Sequence, residues 1–141
     1  MPTPFGSLAV AGAGMSTMKT WIDTISDNVA NANTVKRTSE TAFQARQVFA
    51  ESVSGGTAIG GGETGGGVRV SRLTTASGDG TLTFDPNNSL ADANGMVRRP
   101  NVDLVEQMTS LIVAQRAYSA NVTVFERARD SYLRALEIGR G

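Results

Sequence analysis

Apolar residues recur at alternating steps of three and four near both ends of the chain, whereas the middle lacks this pattern. Near the N-terminus the repeat comprises Leu8, Ala11, Met15, Met18, Ile22, Ile25, Val29 and Ala32. Such spacing places the apolar side chains on one narrow stripe of a helix, as in coiled coils. It predicts a helix that ends near Asn31, with Thr3 as its N-cap and Pro4 in its first turn.

The same repeat returns in the last third of the chain and predicts a second long helix. Its positions are Leu104, Met108, Leu111, Gln115, Tyr118, Val122, Phe125, Arg129, Tyr132 and Leu136. Gln115 and Arg129 interrupt the apolar stripe, and polar residues at such positions can fix the alignment of paired helices. Asn101 is the predicted N-cap of this helix, and Gly139 is the predicted C-cap.

The segment between the two repeats is rich in glycine and poor in large apolar residues. Residues 33–54 predict an extended arm or a short strand. Glycine loses more backbone entropy on ordering than any other residue, so the glycine-rich run 55–67 predicts a mobile loop. A small hairpin is predicted around the turn 78–80. Its strands would contain Val68, Val70, Leu73, Leu82 and Phe84.

These elements predict a mainly α chain whose long N- and C-terminal helices form an antiparallel, coiled-coil-like pair, with a small β-hairpin and a glycine-rich loop inserted between them. Three segments result. Residues 1–33 form the first helix, residues 34–101 the arm, loop and β region, and residues 102–141 the second helix. The pattern supports two uses of the apolar stripes equally well: burial against each other in an intramolecular helical hairpin, or binding to other subunits.

Composition excludes several classes of function. The 141 residues include 13 basic and 13 acidic side chains, so the chain has no electrostatic footprint for nucleic acid or an anionic membrane. Without histidine or cysteine, it lacks a thiolate nucleophile, an imidazole base and the usual zinc ligands. No apolar run approaches the roughly 20 residues that span a bilayer, and the N-terminus lacks a signal-peptide pattern. We expect no cofactor, no nucleic-acid partner and no membrane insertion.

Two motifs match ligand sites only in part. Gly60, Gly62 and Gly65 have the spacing of a dinucleotide-binding loop, but no predicted strand precedes them and no helix follows, so we interpret them as loop glycines. Residues 85–96 begin like a calcium loop. Leucine stands where that loop needs its sharp-turn glycine, and methionine where it needs its bidentate glutamate, so a turn is the better interpretation.

Charged residues on both predicted helices fit ion pairs better than catalysis. Asp23 and Asp27 lie one helical turn apart, but Lys19 shares their face, which predicts a solvated or interfacial charged surface. The second helix carries mixed charges that suit ion pairs within and between helices. They are Glu126, Arg127, Arg129, Asp130 and Arg134.

Three segments resemble one family of bacterial proteins. Residues 25–34 (ISDNVANANT) resemble the N-terminal signature of the flagellar axial proteins, which include rod and hook subunits. Residues 84–103, which end in RRPNVD, are similar to the segment that enters the C-terminal helix of proximal rod subunits in this family. Residues 116–122 (RAYSANV) resemble the family's C-terminal helix motif. The matches touch both ends of the chain and leave the glycine-rich run unmatched.

The resemblance implies a structural protein of the flagellar basal body and not an enzyme. Rod subunits of this family pair their terminal helices and pack helically into a hollow periplasmic shaft that transmits torque. They are exported through the flagellum's own channel without signal cleavage. Implied partners are other rod proteins, further copies of the chain, the export apparatus and basal-body ring proteins. The expected subunit-interface residues are Met15, Met18, Ile22, Ile25, Asn28, Val29, Asn31, Asn33, Tyr118, Asn121, Val122 and Phe125.

Three alternatives stay open at this point. Another axial subunit, from a different part of the rod or from the hook junction, would share the terminal signatures, although the PNVD entry to the second helix favours the proximal rod type. A small ligand-binding or calcium-binding domain would use the glycine-rich run. An enzyme is the weakest alternative, because the chain has no histidine, no cysteine and no convincing carboxylate site.

Overall fold

Two long helices lie at the ends of the chain, and four strands lie between them. The computed structural model describes the backbone of residues 4–57 and 63–139 and the side chains of residues 6–55 and 65–139. The elements are α1 (Pro4–Asn31), β1 (Arg46–Thr57), β2 (Glu63–Thr75), β3 (Thr81–Phe84), β4 (Met96–Arg99) and α2 (Leu104–Ile138). The two predicted helices are confirmed. The prediction of a mainly α chain is only partly correct, because β1 and β2 have 12 and 13 residues.

The ends of the helices differ in part from the predicted caps. Asp103, and not Asn101, is the N-cap of α2: its Oδ1 accepts hydrogen bonds from the backbone N–H groups of Val105 and Glu106 at 2.8 and 3.2 Å. A carboxylate here also favours the positive end of the helix dipole. Gly139 is confirmed as the C-cap. The predicted N-cap of α1, Thr3, lies outside the described residues.

Strands β1 and β2 form an antiparallel ribbon in the region predicted as arm and loop. The pairing runs from Arg46 opposite Thr75 to Thr57 opposite Glu63, with three register shifts. The loop prediction for residues 55–67 is therefore wrong for the part that the structure describes. Gly67 shows the reason: it has a positive φ of 93°, and a Cβ there would lie 3.1 Å from the Ala13 Cβ. Glycine lets β2 cross α1 at close range, a tertiary contact that favours order.

The second sheet pairs β3 with β4, and Lys36 adds an antiparallel bridge to Arg98. The predicted hairpin around residues 78–80 is wrong, because β2 pairs with β1 and β3 pairs with β4. The arm before β1 lies beside the predicted turn instead. Ala42 donates its backbone N–H to the Asp79 carbonyl oxygen at 2.9 Å, and Ala76 donates to the Ala45 carbonyl oxygen at 2.7 Å.

Small and polar side chains supply much of the core, together with Ala11, Ile25 and Ala32 from the predicted apolar stripe of α1. Among the described residues the buried apolar side chains are Ala11, Ile25, Ala32, Ala42, Val97 and Ala114, and the buried polar ones are Thr17, Thr24 and Asn28. On α1, Gly14 is also buried, and a Cβ there would lie 2.6 Å from Asn121 Oδ1 on α2. Small residues let the helices approach closely, so much of each predicted stripe is left half-buried or exposed.

Candidate assembly interface

The Asn28 side chain joins α1 to both β1 and α2. Its Nδ2 group donates to the Arg46 carbonyl oxygen and to Gln107 Oε1, each at 2.9 Å. Its Oδ1 accepts from the Arg46 backbone N–H at 2.8 Å. The side chain is only 2% exposed, so these bonds replace the water that a buried amide would otherwise lose. The sequence predicted a polar interface position here, and the described contacts lie within the chain.

The other three predicted asparagines have different surroundings. Asn31 Nδ2 donates to the carbonyl oxygen and the carboxylate of Asp27, at 2.9 and 3.1 Å, which completes the end of α1. Asn121 Nδ2 donates to the Ala117 carbonyl oxygen at 2.9 Å, and its Oδ1 lies against Gly14. Asn33 is exposed just after α1. Asn31 therefore has a local capping role, and Asn121 marks the closest approach of the two helices.

The predicted apolar interface residues divide by exposure. Ile25 is only 2% exposed and belongs to the core of the chain itself. Tyr118 is 36% exposed, which leaves part of its ring accessible. The remaining predicted apolar positions are half-buried: Met15, Met18, Ile22, Val29, Val122 and Phe125. This intermediate exposure leaves apolar surface that a second protein can cover.

A larger set of apolar residues is exposed; Met108 and Leu136 belong to the predicted repeat, and the others named here were missed by the sequence reasoning. Val105 is 76% exposed and Phe84 is 66% exposed. Others on α2 are about half exposed: Met108, Ile112, Val113, Val124, Leu133 and Leu136. The sequence did contain evidence for a second apolar surface on α2, in adjacent apolar pairs such as Ile112 and Val113. A helix with a single buried stripe does not require such pairs. Exposed apolar surface on this scale marks sites of protein–protein interaction.

The charged residues form solvated ion pairs. Lys19 Nζ lies 2.7 Å from Asp23 Oδ2 with both side chains more than 60% exposed, as the sequence predicted. That hydrogen bond and the charge of Asp23 raise the pKa of Lys19. Arg46 and Asp27 approach to 3.1 Å between β1 and α1, and Arg129 and Asp130 approach to 3.1 Å on α2. Exposed pairs of this kind contribute about 0–1 kcal/mol, so they serve alignment more than stability.

The residues of the two partial ligand motifs have ordinary structural surroundings where the structure describes them. Within residues 4–57 and 63–139, no group of three or more acidic side chains could hold a metal ion. Asp85, the first position of the rejected calcium loop, accepts a hydrogen bond from Asn88 Nδ2 at 3.2 Å, which fits a turn. Gly65 lies in β2, whereas Gly60 and Gly62 lie outside the described residues. Neither described helix is long and apolar enough to cross a membrane.

Comparison with known proteins identifies the family. The family model of the flagella basal body rod protein matches residues 8–36, and that of the flagellar basal body rod FlgEFG protein C-terminal matches residues 93–138. The flagellar basal-body rod protein FlgC of Bacillus subtilis is 32% identical over 98% of this chain and 99% of its own length. This chain belongs to the FlgC family. The FlgC proteins of Yersinia enterocolitica and Borreliella burgdorferi are 34% and 35% identical over 93% and 97% of the chain.

Membership of the FlgC family makes the chain a structural subunit of the flagellar basal-body rod and not an enzyme. The two family models match the regions that contain α1 and α2 and leave β1 and β2 between them. The residues that bring the helices together, including Asn28, Gly14 and Asn121, lie within the matched regions. The regions that the two family models match therefore contain both the close helix contact and the exposed apolar surface of α2.

Proposed function

We propose that the chain is a subunit of the proximal part of the rod and packs helically with copies of itself and other rod proteins. The observation that carries this proposal is the exposed apolar surface of α2, which includes Val105, Ile112 and Val124. A lone folded chain leaves that surface in contact with water at a cost of about 25 cal/mol per Å². Contacts that do not close into a ring build a helical filament, which is the geometry a shaft needs.

We further propose that α1 and α2 form an antiparallel, coiled-coil-like pair. Asn28 contacts Gln107, and Gly14, 14 residues earlier on α1, lies against Asn121, 14 residues later on α2. Contacts whose order is reversed at equal spacing support antiparallel helices. A paired core of small residues leaves the larger apolar side chains for other subunits.

The interface residues that we propose lie around this pair. The apolar ones are Met15, Met18, Ile22, Val29, Tyr118, Val122 and Phe125. The half-buried state of most of them supports a role in completing burial against a neighbour. Ile25, Asn28, Asn31 and Asn121 support the interface indirectly: Ile25 is buried in the core, and Asn28 bonds β1. Asn31 bonds Asp27 at the end of α1, and Asn121 lies against Gly14. Asn33, exposed after α1, is the polar position free to face a neighbouring subunit.

Export through the flagellum's own secretion channel, without cleavage of the N-terminus, belongs to the same proposal. Mass spectrometry of detergent-purified basal bodies from the source bacterium tests both parts. We expect the chain to be enriched beside rod and ring components, with its N-terminal peptide intact. Absence of the chain from otherwise complete rods would reject the proposed function. A shortened N-terminus in assembled rods would reject only the uncleaved export.

A further inference from the structure

A cleft lies where α1, β1 and the beginning of α2 meet. Its volume is about 290 Å³, and its apolar lining comes from Trp21, Ile25, Val48 and Phe49. Phe49 is 39% exposed, with the Arg72 guanidinium carbon 4.4 Å from its ring centroid, and Ile25 is only 2% exposed, so Phe49 is partly open to solvent and Ile25 is not. Arg46 and Glu106 place opposite charges at the same cleft. A ligand for this site would combine aliphatic side chains with one basic and one acidic group.

The C-terminal turns of α2 present that combination. In the proposed antiparallel pair, the two helix contacts described above bring residue 131 level with Pro4, where α1 begins. Residues 132–138 therefore extend past the described part of α1. Their large aliphatic side chains are exposed: Leu133 is 50%, Leu136 is 47% and Ile138 is 82% exposed. Arg134 and Glu137 lie among them and supply the two charges.

We propose that the C-terminal turns of α2 from one copy of the chain occupy this cleft in a second copy. The aliphatic side chains cover the apolar lining, Arg134 faces Glu106, and Glu137 faces Arg46. Within the described part of the chain, Glu106, Arg134 and Glu137 enter no ion pair, and Arg46 has an exposed one with Asp27 at 3.1 Å. The contact therefore gives partners to three solvated charges and adds a second carboxylate to Arg46. The inference rests on the proposed function, because it names a contact through which copies join.

The cleft and the C-terminal turns of α2 lie far apart on the chain, so the contact repeats from one copy to the next. Ser110 lines the cleft, and Ala135 lies 25 residues later on α2, which is about 38 Å along the helix. A chain cannot fill its own cleft over that distance, and each copy keeps one free cleft and one free C-terminus. Joining such surfaces head to tail extends an assembly instead of closing a dimer.

Disulfide cross-linking tests the contact cleanly, because the chain has no cysteine of its own. The test variant carries Gln47→Cys in the cleft and Leu136→Cys on the side of the C-terminal turns that enters it, both at exposed positions. The control variant carries Gln47→Cys with Val124→Cys, an exposed aliphatic residue nearer the middle of α2 (51% exposed, against 47% for Leu136). Each variant replaces the natural chain in the source bacterium. Its basal bodies are isolated, oxidised and analysed by non-reducing electrophoresis.

We expect cross-linked dimers and larger species from the test variant, at least fivefold above the control. A test variant that is present in basal bodies but stays monomeric would overturn this contact and leave the proposed function intact. Absence of the unmodified chain from basal bodies would reject the proposed function, and the contact with it. If the first pair does not assemble, Ser110→Cys with Leu136→Cys probes the α2 side of the cleft with the same outcomes.

A charge reversal separates the proposed pairing from accidental proximity. In the test variant, Arg134→Glu should lower the cross-linking yield at least threefold, because it faces Glu106 with a like charge. Adding Glu106→Arg to the same chain should restore the yield. A cross-linking yield that stays the same after both substitutions would overturn the charge pairing between the C-terminal turns and the cleft.

Discussion

Single side chains determine how closely the elements of this chain meet. Asn28 is the clearest case, because one buried amide bonds the backbone of Arg46 and the side chain of Gln107. Gly14 is the complementary case, since the missing Cβ admits Asn121. The sequence marked Asn28 as a motif position, but its partners lie 18 and 79 residues away, and no local pattern specifies contacts at that separation.

Asn28→Ala should lower the free energy of unfolding by about 1–3 kcal/mol, because it removes the three hydrogen bonds that the buried amide makes to Arg46 and Gln107. Urea denaturation of the purified chain, followed by circular dichroism, measures the change. Asn33→Ala is the matched control: Asn33 is exposed, so its effect should stay within about 0.5 kcal/mol. Equal midpoints for the two variants would contradict the role of Asn28.

Glycines 12 and 14 should respond in opposite ways to alanine. Gly12 has open space where a Cβ would lie, so Gly12→Ala should stabilise the chain by up to about 1 kcal/mol through helix propensity. Gly14→Ala should gain nothing, because the methyl group would meet Asn121 Oδ1 at 2.6 Å. Thermal melts of both variants make the comparison. Gly14→Ala combined with Asn121→Ala should recover stability relative to Gly14→Ala, and failure to do so would point to a different obstacle.

At the scale of elements, periodicity located both helices and misjudged the strands. A repeat of three and four is a local property, and it placed the end of α1 at Asn31 as observed. Strand pairing is not local: strands were predicted near β2 and β3, β4 was not predicted, and β2 pairs with the earlier β1. The glycine-rich ends of β1 and β2 are ordered by pairing and by contact with α1. The apolar stripes were also a poor guide to which residues bring α1 and α2 together, because small residues such as Gly14 and the buried Ala114 contribute there.

The turn before β4 should give the chain a measurable acid dependence. The Asp92 carboxylate accepts backbone hydrogen bonds from Met96 and Asn94 at 3.0 and 2.8 Å. The bond from Met96 is the largest cause that lowers the pKa of Asp92 below its ordinary value of 3.8. Because the folded-state pKa is the lower one, this stabilisation is present above about pH 4 and is lost as the pH falls through the folded pKa.

Asp92→Asn keeps an oxygen acceptor for both N–H groups but removes the charge, so the stability of this variant should fall less steeply between about pH 5 and about pH 2. Urea midpoints measured across this range give the slope. Identical slopes for parent and Asp92→Asn would show that this turn does not contribute.

At the scale of the whole molecule, folding and assembly use different apolar residues. The buried set is small, and the larger side chains of α2 remain accessible. Substitutions on the two sets should therefore have separable effects. Family membership came from the sequence signatures at the two ends, whereas the division between core and surface required the packing of the helices.

Ile112→Asp should abolish swimming motility while changing the free energy of unfolding by no more than about 0.5 kcal/mol, because Ile112 is 51% exposed. Soft-agar motility and urea denaturation give the two readouts. Gln115→Glu, which adds the same charge at an exposed polar position of α2, should keep motility. Ile25→Asp should instead unfold the chain, at a cost of about 3 kcal/mol or more for a buried charge. Full motility with Ile112→Asp would remove this face from the assembly.

The contact between the first and last helices also sets the order in which the chain can fold. The Asn28 side chain cannot complete its hydrogen bonds until Gln107, 79 residues later, has been synthesised. Closing so long a loop is slow, since its entropy is lost before the contact forms. A ribosome has to make the first half of α2, through Asn121, before α1 can complete both described contacts, so the emerging chain remains without them until then. The chain's own topology therefore delays folding, so the newly made subunit stays unfolded for longer.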